Sequence, residues 1–121
     1  MPRFFVAPVA QQDTVAVLRW TDDQWGADAR IRYEALLVQA IMDVAGNPNL
    51  PGSNRRPEIA SSARTYHLIH SRNHIAVEAG RVKRPRHLLL YRTRSDAAVE
   101  IGRVIHESMD LARHLPDEYR P

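Results

Sequence analysis

The side chains with the most chemical capacity in this 121-residue chain are six histidines and seventeen basic residues, all but Lys83 being Arg. The histidines are His67, His70, His74, His87, His106 and His114. A metal site needs several donors converging on one point, and their spacing does not supply it. His70 and His74 are four residues apart, but they fall at a strand end and in a loop. On an extended strand His67 and His70 point to opposite faces. Carboxylates are scarce nearby, so hydrogen-bonding or surface roles are the better reading, and neither metal nor cofactor is expected. Other chemistries lack their motifs. There is no glycine-rich phosphate loop, no GxSxG elbow and no HExxH helix. With no Cys, disulfides, thiolate ligands and cysteine nucleophiles are excluded together.

The basic series Arg72, Arg81, Lys83, Arg84, Arg86, Arg92, Arg94 and Arg103 is the remaining candidate. Arg presents a planar five-donor fork suited to phosphate or carboxylate. Charge is zoned along the chain. Residues 1–51 hold four bases and six acids, for −2; residues 52–103 hold eleven and four, for +7; residues 104–121 hold two and four, for −2. A basic middle between acidic ends points to one cationic face, attractive to nucleic acid or to an acidic protein segment. Arg92 and Arg103 fall in adjacent expected strands, so they are expected to meet on the sheet face away from the helices. Tyr66 and Tyr91 would place aromatic surface beside them, a pairing used to bind flexible nucleic acid. The competing reading makes both tyrosines core residues with a wet hydroxyl.

The elements that must position these groups are legible in outline. Phe4-Phe5-Val6 predicts a short strand ending before Pro8. A helix follows from Pro8, or from Gln11 or Asp13, with Val15, Leu18 and Trp25 on one face and Gly26 as its stop. A second helix runs from about Asp28, where Tyr33, Leu36, Leu37, Ala40, Ile41 and Val44 follow the amphipathic pattern closely. Gly46-Asn47-Pro48 ends it, and residues 47–62 read as loop. Strands are expected over Thr65–His70, His87–Arg92 and Val99–Ile105, the last two joined by the hairpin Arg94–Ala97. Ser71–Pro85 reads as a long exposed loop, and Met109–His114 as one helical turn.

The order β-α-α-β-β-β implies an α+β domain spanning residues 1–121, with a helix hairpin on one face of an antiparallel sheet and a short C-terminal tail from about 107. Leu37, Ile41 and Val44 should bury against Leu88, Leu90 and Ile101 or their immediate neighbours. A hydrophobic fraction of 44% fits a globular chain. No apolar run approaches a bilayer span, so a cytoplasmic protein is expected.

The stretch Arg86-His87-Leu88-Leu89-Leu90-Tyr91-Arg92, followed by Val99-Glu100-Ile101-Gly102-Arg103-Val104-Ile105-His106-Glu107-Ser108-Met109-Asp110, resembles the C-terminal half of ParE-type toxins. There a "-YR-" strand precedes an "(I/V)-x-R-(V/I)-(L/I)-H-x-x-x-D" strand and tail. Trp25-Gly26 between the helices, Tyr33 early in the second and the Asn47-Pro48 exit also match. The β-α-α-β-β-β order is that of the superfamily, which includes RelE. The resemblance implies a toxin of a type II toxin–antitoxin system, held inactive in a hetero-oligomer by an antitoxin, and the cationic middle of the chain suits a partner with an acidic segment. ParE-like members poison DNA gyrase without catalysis; RelE-like members cut mRNA on the ribosome.

For a ParE-like toxin, Arg72, Arg86, Arg92, Arg103, His106 and Arg113 are the candidate antitoxin or target contacts, with nucleic acid met only within the target complex. For a RelE-like enzyme, Arg92 and Arg103 would supply charge, and His106 or Tyr119 a proton. The absence of a convincing general base beside Arg92 and Arg103 favours the gyrase poison. The Ser71–Pro85 connection departs from the family pattern, being longer and more basic than a short hairpin.

Overall fold

Pro8, whose missing N–H and fixed φ suit a first helical turn, opens α1 (Pro8–Trp25), although Ala7 before it makes no side-chain cap. Gly26, at φ 92°, ends α1 and begins α2 (Ala27–Gly46) as a one-residue link. Only glycine takes that backbone region without strain, so the two helices fold back on each other directly. The computed structural model describes residues 3–116 and Tyr119. The remaining elements are β1 (Phe4–Val6), β2 (Ser53–Arg55), β3 (Ala63–His67), β4 (His87–Thr93) and β5 (Val99–His106). Short 3₁₀ segments occupy Leu68–His74, Val77–Ala79 and Leu111–Arg113.

The architecture is α+β, with the helix pair packed on one face of a five-stranded sheet of order β1-β5-β4-β3-β2. The central pairs are antiparallel, but β1 runs parallel to β5, with Phe4 opposite Val99. The expected antiparallel sheet is therefore mixed. After β1 the chain leaves through both helices, and β1 lies at the outer edge of β5, the last strand in chain order. β2 was not expected: Gly52 and Pro57 flank four polar residues that read as loop, yet the first three, Ser53–Arg55, pair with Tyr66-Thr65-Arg64 as an edge strand. β3 stops at His67 rather than His70, because the chain turns at Leu68 and the Ile69 N–H bonds back to His67 Nδ1. The Ser71–Pro85 connection is only partly an exposed loop, since Ser71 at its start and Pro85 at its end are buried.

Burial follows the amphipathic pattern of α2. Tyr33, Leu36, Leu37, Ala40 and Val44 are buried, with Ile41 half-buried beside them. On α1 the inward face is Ala10, Leu18 and Thr21, whereas Val15 and Trp25, expected on it, are 55% and 71% exposed. The sheet answers the helices through Tyr66, Leu89, Tyr91, Val99 and Ile101. Both tyrosines are thus core residues: Tyr91 Oη donates to the Pro48 carbonyl (2.6 Å) and Tyr66 Oη meets Ser71 Oγ (2.8 Å). Leu90, expected toward the helices, lies on the opposite face with Ala63 and Tyr119.

β4 and β5 slip by one residue between Leu90 and Tyr91: Leu90 pairs with Arg103, Tyr91 with Ile101, and Gly102 is left over as a bulge. That glycine is the floor on which Tyr119 lies. A Cβ on Gly102 would sit 2.8 Å from Tyr119 Oη, 2.9 Å from Cζ and 3.0 Å from Pro116 Cγ. Gly102→Ala is expected to expel the Tyr119 ring and to cost about 1–3 kcal/mol by overpacking. Increased solvent exposure of Tyr119, followed by NMR ring shifts, checks this.

Candidate ligand and partner site

Each sequence-expected site residue has a definite place. Arg103 lies where β5 runs past the end of β1. There Asp13 of α1 covers the open edge: Arg103 Nε and Nη2 donate to the two carboxylate oxygens (2.7 and 2.8 Å), and the Val104 N–H donates to the same group (2.9 Å). Arg103 Nη1 also donates to the His114 carbonyl (2.9 Å). The Asp13 bonds raise the Arg103 guanidinium above its ordinary range. Arg92 instead pairs with Glu100 across the hairpin (3.2 Å), and its guanidinium lies 4.5 Å from the centre of the Tyr119 ring. The expected Arg92–Arg103 pair is therefore resolved into two separate ion pairs. Tyr119 is 3% exposed and donates to the Glu100 carbonyl (3.4 Å), so it belongs to the packed underside of the sheet.

The remaining candidates separate by exposure. Arg72 is half-buried, its Nε donating to the Val82 carbonyl (2.6 Å), and so ties the Ser71–Pro85 connection to itself. Arg113 is exposed, 3.8 Å from Asp110. Arg86 is exposed at the start of β4, 3.4 Å from Glu107. His106 ends β5 directly opposite His87.

That last pairing builds a cluster not anticipated as a unit: Tyr33, His67, His87, His106, Arg86 and Glu107. The His87 and His106 rings meet edge-on at 5.3 Å, and Tyr33 and His87 likewise at 5.5 Å. Backbone hydrogen bonds fix the protons of two of the rings. The Arg86 N–H donates to Tyr33 Oη (3.1 Å), and the same hydroxyl shares a hydrogen bond with His87 Nδ1 (2.6 Å). The Ser108 N–H donates to His106 Nδ1 (3.1 Å), and the Ile69 N–H to His67 Nδ1 (3.1 Å). His106 and His67 thus accept at Nδ1, and in their neutral forms carry the proton on Nε2. His67 Nε2 faces Glu107 at 3.7 Å. His87 and His106 line a cavity of ≈ 560 Å³, with Tyr33, Arg86, Trp20 and Met109 in its walls.

Burial pushes the Tyr33 hydroxyl up to about 12. Burial, then the neighbouring His106 and His67, pushes His87 down to about 4. His67 is lowered too, chiefly by burial. A His whose folded pKa lies below its unfolded value favours folding above the unfolded value, and that contribution is lost as pH falls toward the folded value. His87 is therefore expected to weaken the fold between about pH 6.5 and 4, by at most on the order of 3 kcal/mol. His87→Asn, which keeps an acceptor for Tyr33 without titrating, should flatten urea midpoints over that window.

A second cluster surrounds Asp43 of α2, which accepts from Ser71 Oγ (2.5 Å), His74 Nδ1 (2.6 Å) and Gln39 Nε2 (2.9 Å). Burial works to raise its pKa, but the three hydrogen bonds together hold it below the usual carboxylate range. Ser71 and His74 both address the carboxylate rather than each other. This is not the nucleophile–base–carboxylate order of a hydrolase; it fastens the 3₁₀ segment to α2. Among the described residues no group of three or more side chains is arranged to hold a metal ion. No helix among them is long and apolar enough to cross a membrane.

Comparison with known families and proteins follows the same line. Residues 4–111 match the family described as "ParE toxin of type II toxin-antitoxin system, parDE". Two curated proteins named Toxin ParE1, from Mycobacterium tuberculosis strains CDC 1551 / Oshkosh and ATCC 25618 / H37Rv, are each 28% identical over 113 residues. The match covers 93% of this chain and 97% of each relative.

Proposed function

The chain belongs to the ParE toxin family of type II toxin–antitoxin systems, and from that premise we infer that it acts by binding, poisoning DNA gyrase and being neutralised by a cognate antitoxin. The observation that carries this reading is the fate of the groups an RNA-cleaving site would need. Cleavage through a 2′-hydroxyl requires a free lone pair as base and cations for the developing charge. Arg103 is committed to Asp13 and Arg92 to Glu100. The Nδ1 lone pairs of His67 and His106 are occupied and their Nε2 atoms are donors in the neutral state, while His87 Nδ1 is engaged by the Tyr33 hydroxyl. A poison needs none of these free; it needs only to hold the gyrase–DNA intermediate.

The antitoxin reading rests on the family and on the +7 charge of residues 52–103, which complements a segment bearing Asp and Glu. Of the basic candidates, Arg86 and Arg113 have the exposure to contact such a partner. In a bacterial cytoplasm the free chain should induce DNA-damage signalling and filamentation, and co-expression of its antitoxin should suppress both. Growth arrest with mRNA cleavage and no damage response would favour the RelE-type endonuclease instead.

A further inference from the structure

We propose that the groove running along α1 from Trp25 to Met109 binds a short segment of single-stranded nucleic acid, with bases against the tryptophans and phosphates on Arg86, His87 and His106. The inference rests on the groove's own geometry and stands whether or not gyrase is the target. Two hollows, of ≈ 560 and ≈ 190 Å³, share Trp20, Thr21 and Tyr33 in their walls, and so form one depression along the helix. Trp20 and Trp25 are 56% and 71% exposed, leaving indole surface open to solvent. Nothing in the packing of α1 requires two tryptophans there: its buried face is Ala10, Leu18 and Thr21.

The polar side of the groove is dominated by donors. His106 is locked with Nε2–H free of the bonds that hold Nδ1, His87 beside it is held at Nδ1 by Tyr33, and Arg86 adds an exposed guanidinium. Arg32 and Arg84 line the smaller hollow. The Thr21 hydroxyl donates inward to the Val17 carbonyl (2.8 Å). The carboxylates acting on His87 are engaged elsewhere, Glu107 facing His67 and Arg86 and Asp13 bonded to Arg103. An extended peptide brings an N–H as well as a C=O with each residue, and so needs acceptors beside donors. A nucleotide chain brings phosphate oxygens and aromatic faces, which match guanidinium, imidazole N–H and indole. Stacking on an aromatic side chain and cationic tracking of the backbone are the two terms of sequence-tolerant single-strand binding.

The test uses the purified full chain with fluorescent ten-nucleotide oligo(dT), oligo(U), a ten-base-pair duplex and an oligoglutamate peptide, read by anisotropy and by tryptophan quenching. Binding of either single strand with quenching is expected, the DNA and RNA arms distinguishing the source. Trp20→Ala should weaken that binding about tenfold, and Trp20→Tyr, which keeps a stacking ring, should restore most of it. Arg86→Ala should reduce the salt slope of log K by about 0.7. Circular dichroism and urea midpoints on each variant separate lost contact from lost fold. Binding of no single strand, binding indifferent to Trp20→Ala in a folded variant, or preference for the duplex or oligoglutamate would overturn the proposal; the last would assign the groove to an acidic peptide.

Discussion

Replacing Asp13 by Ala is expected to lower the free energy of unfolding by about 3–5 kcal/mol, because it strands a part-buried guanidinium. The side chains of Arg103 and Asp13 are only 18% and 14% exposed. Their fork-to-fork contact is accompanied by the Val104 N–H, which the carboxylate also satisfies at the open edge of β5. Removing the acid deletes three hydrogen bonds at once and leaves the positive charge without a carboxylate partner. Reversing Arg103 to Glu would set two carboxylates against each other at the same place. The double variant Asp13→Leu with Arg103→Met should recover much of the loss, since a buried ion pair gains little over apolar side chains of similar size. Arg103 thereby becomes a positioning residue: toxicity and the urea midpoint should fall together in its variants. Loss of toxicity by Arg103→Glu at an unchanged midpoint would give the guanidinium a direct role in the target complex.

Leu37→Ala is the second large effect, at about 2–5 kcal/mol for a buried leucine whose site cannot collapse. Leu37 is 2% exposed in the centre of the α2 stripe, between the helix hairpin and the sheet. Ile41, one turn on, is half-buried, and Ile41→Ala should cost less than Leu37→Ala. Equilibrium urea unfolding of both variants checks the ordering, which reports how far α2 rolls onto the sheet. Equal losses would mean that the helix sits deeper than its burial pattern indicates.

That stripe was readable because α2 packs by one face alone, so burial and helical period coincide. α1 was harder. Its apolar residues Val15, Trp20 and Trp25 face outward, and the inward positions include Thr21, whose hydroxyl is hidden by its bond to Val17. Hydrophobicity there records an open surface rather than the core. Strand parity misled in β4 because His87–Arg92 is apolar on both faces: Leu89 and Tyr91 meet the helices, while Leu90 meets Tyr119 underneath. Nothing in a continuous apolar run marks which face is which.

The histidine cluster was hidden by one residue. Counting outward from the Arg94–Ala97 hairpin places His87 beside Ile105; the bulge at Gly102 advances β5 and sets His106 there instead. A glycine inside a strand pattern is a known mark of a bulge, and it was the available signal. The commitment of Arg103 to Asp13 was not legible at all, since ninety residues separate them and only the packing of α1 across the sheet edge joins them.

The central claim is that this ParE-family toxin acts by binding gyrase rather than by cutting RNA. The most direct measurement places the purified chain side by side with gyrase plus supercoiled DNA and with translating ribosomes plus mRNA. The account predicts accumulation of cleaved DNA in the gyrase reaction and intact mRNA on the ribosomes. Codon-linked mRNA cuts with unaffected gyrase would contradict it and make His106 the first residue to test as catalytic.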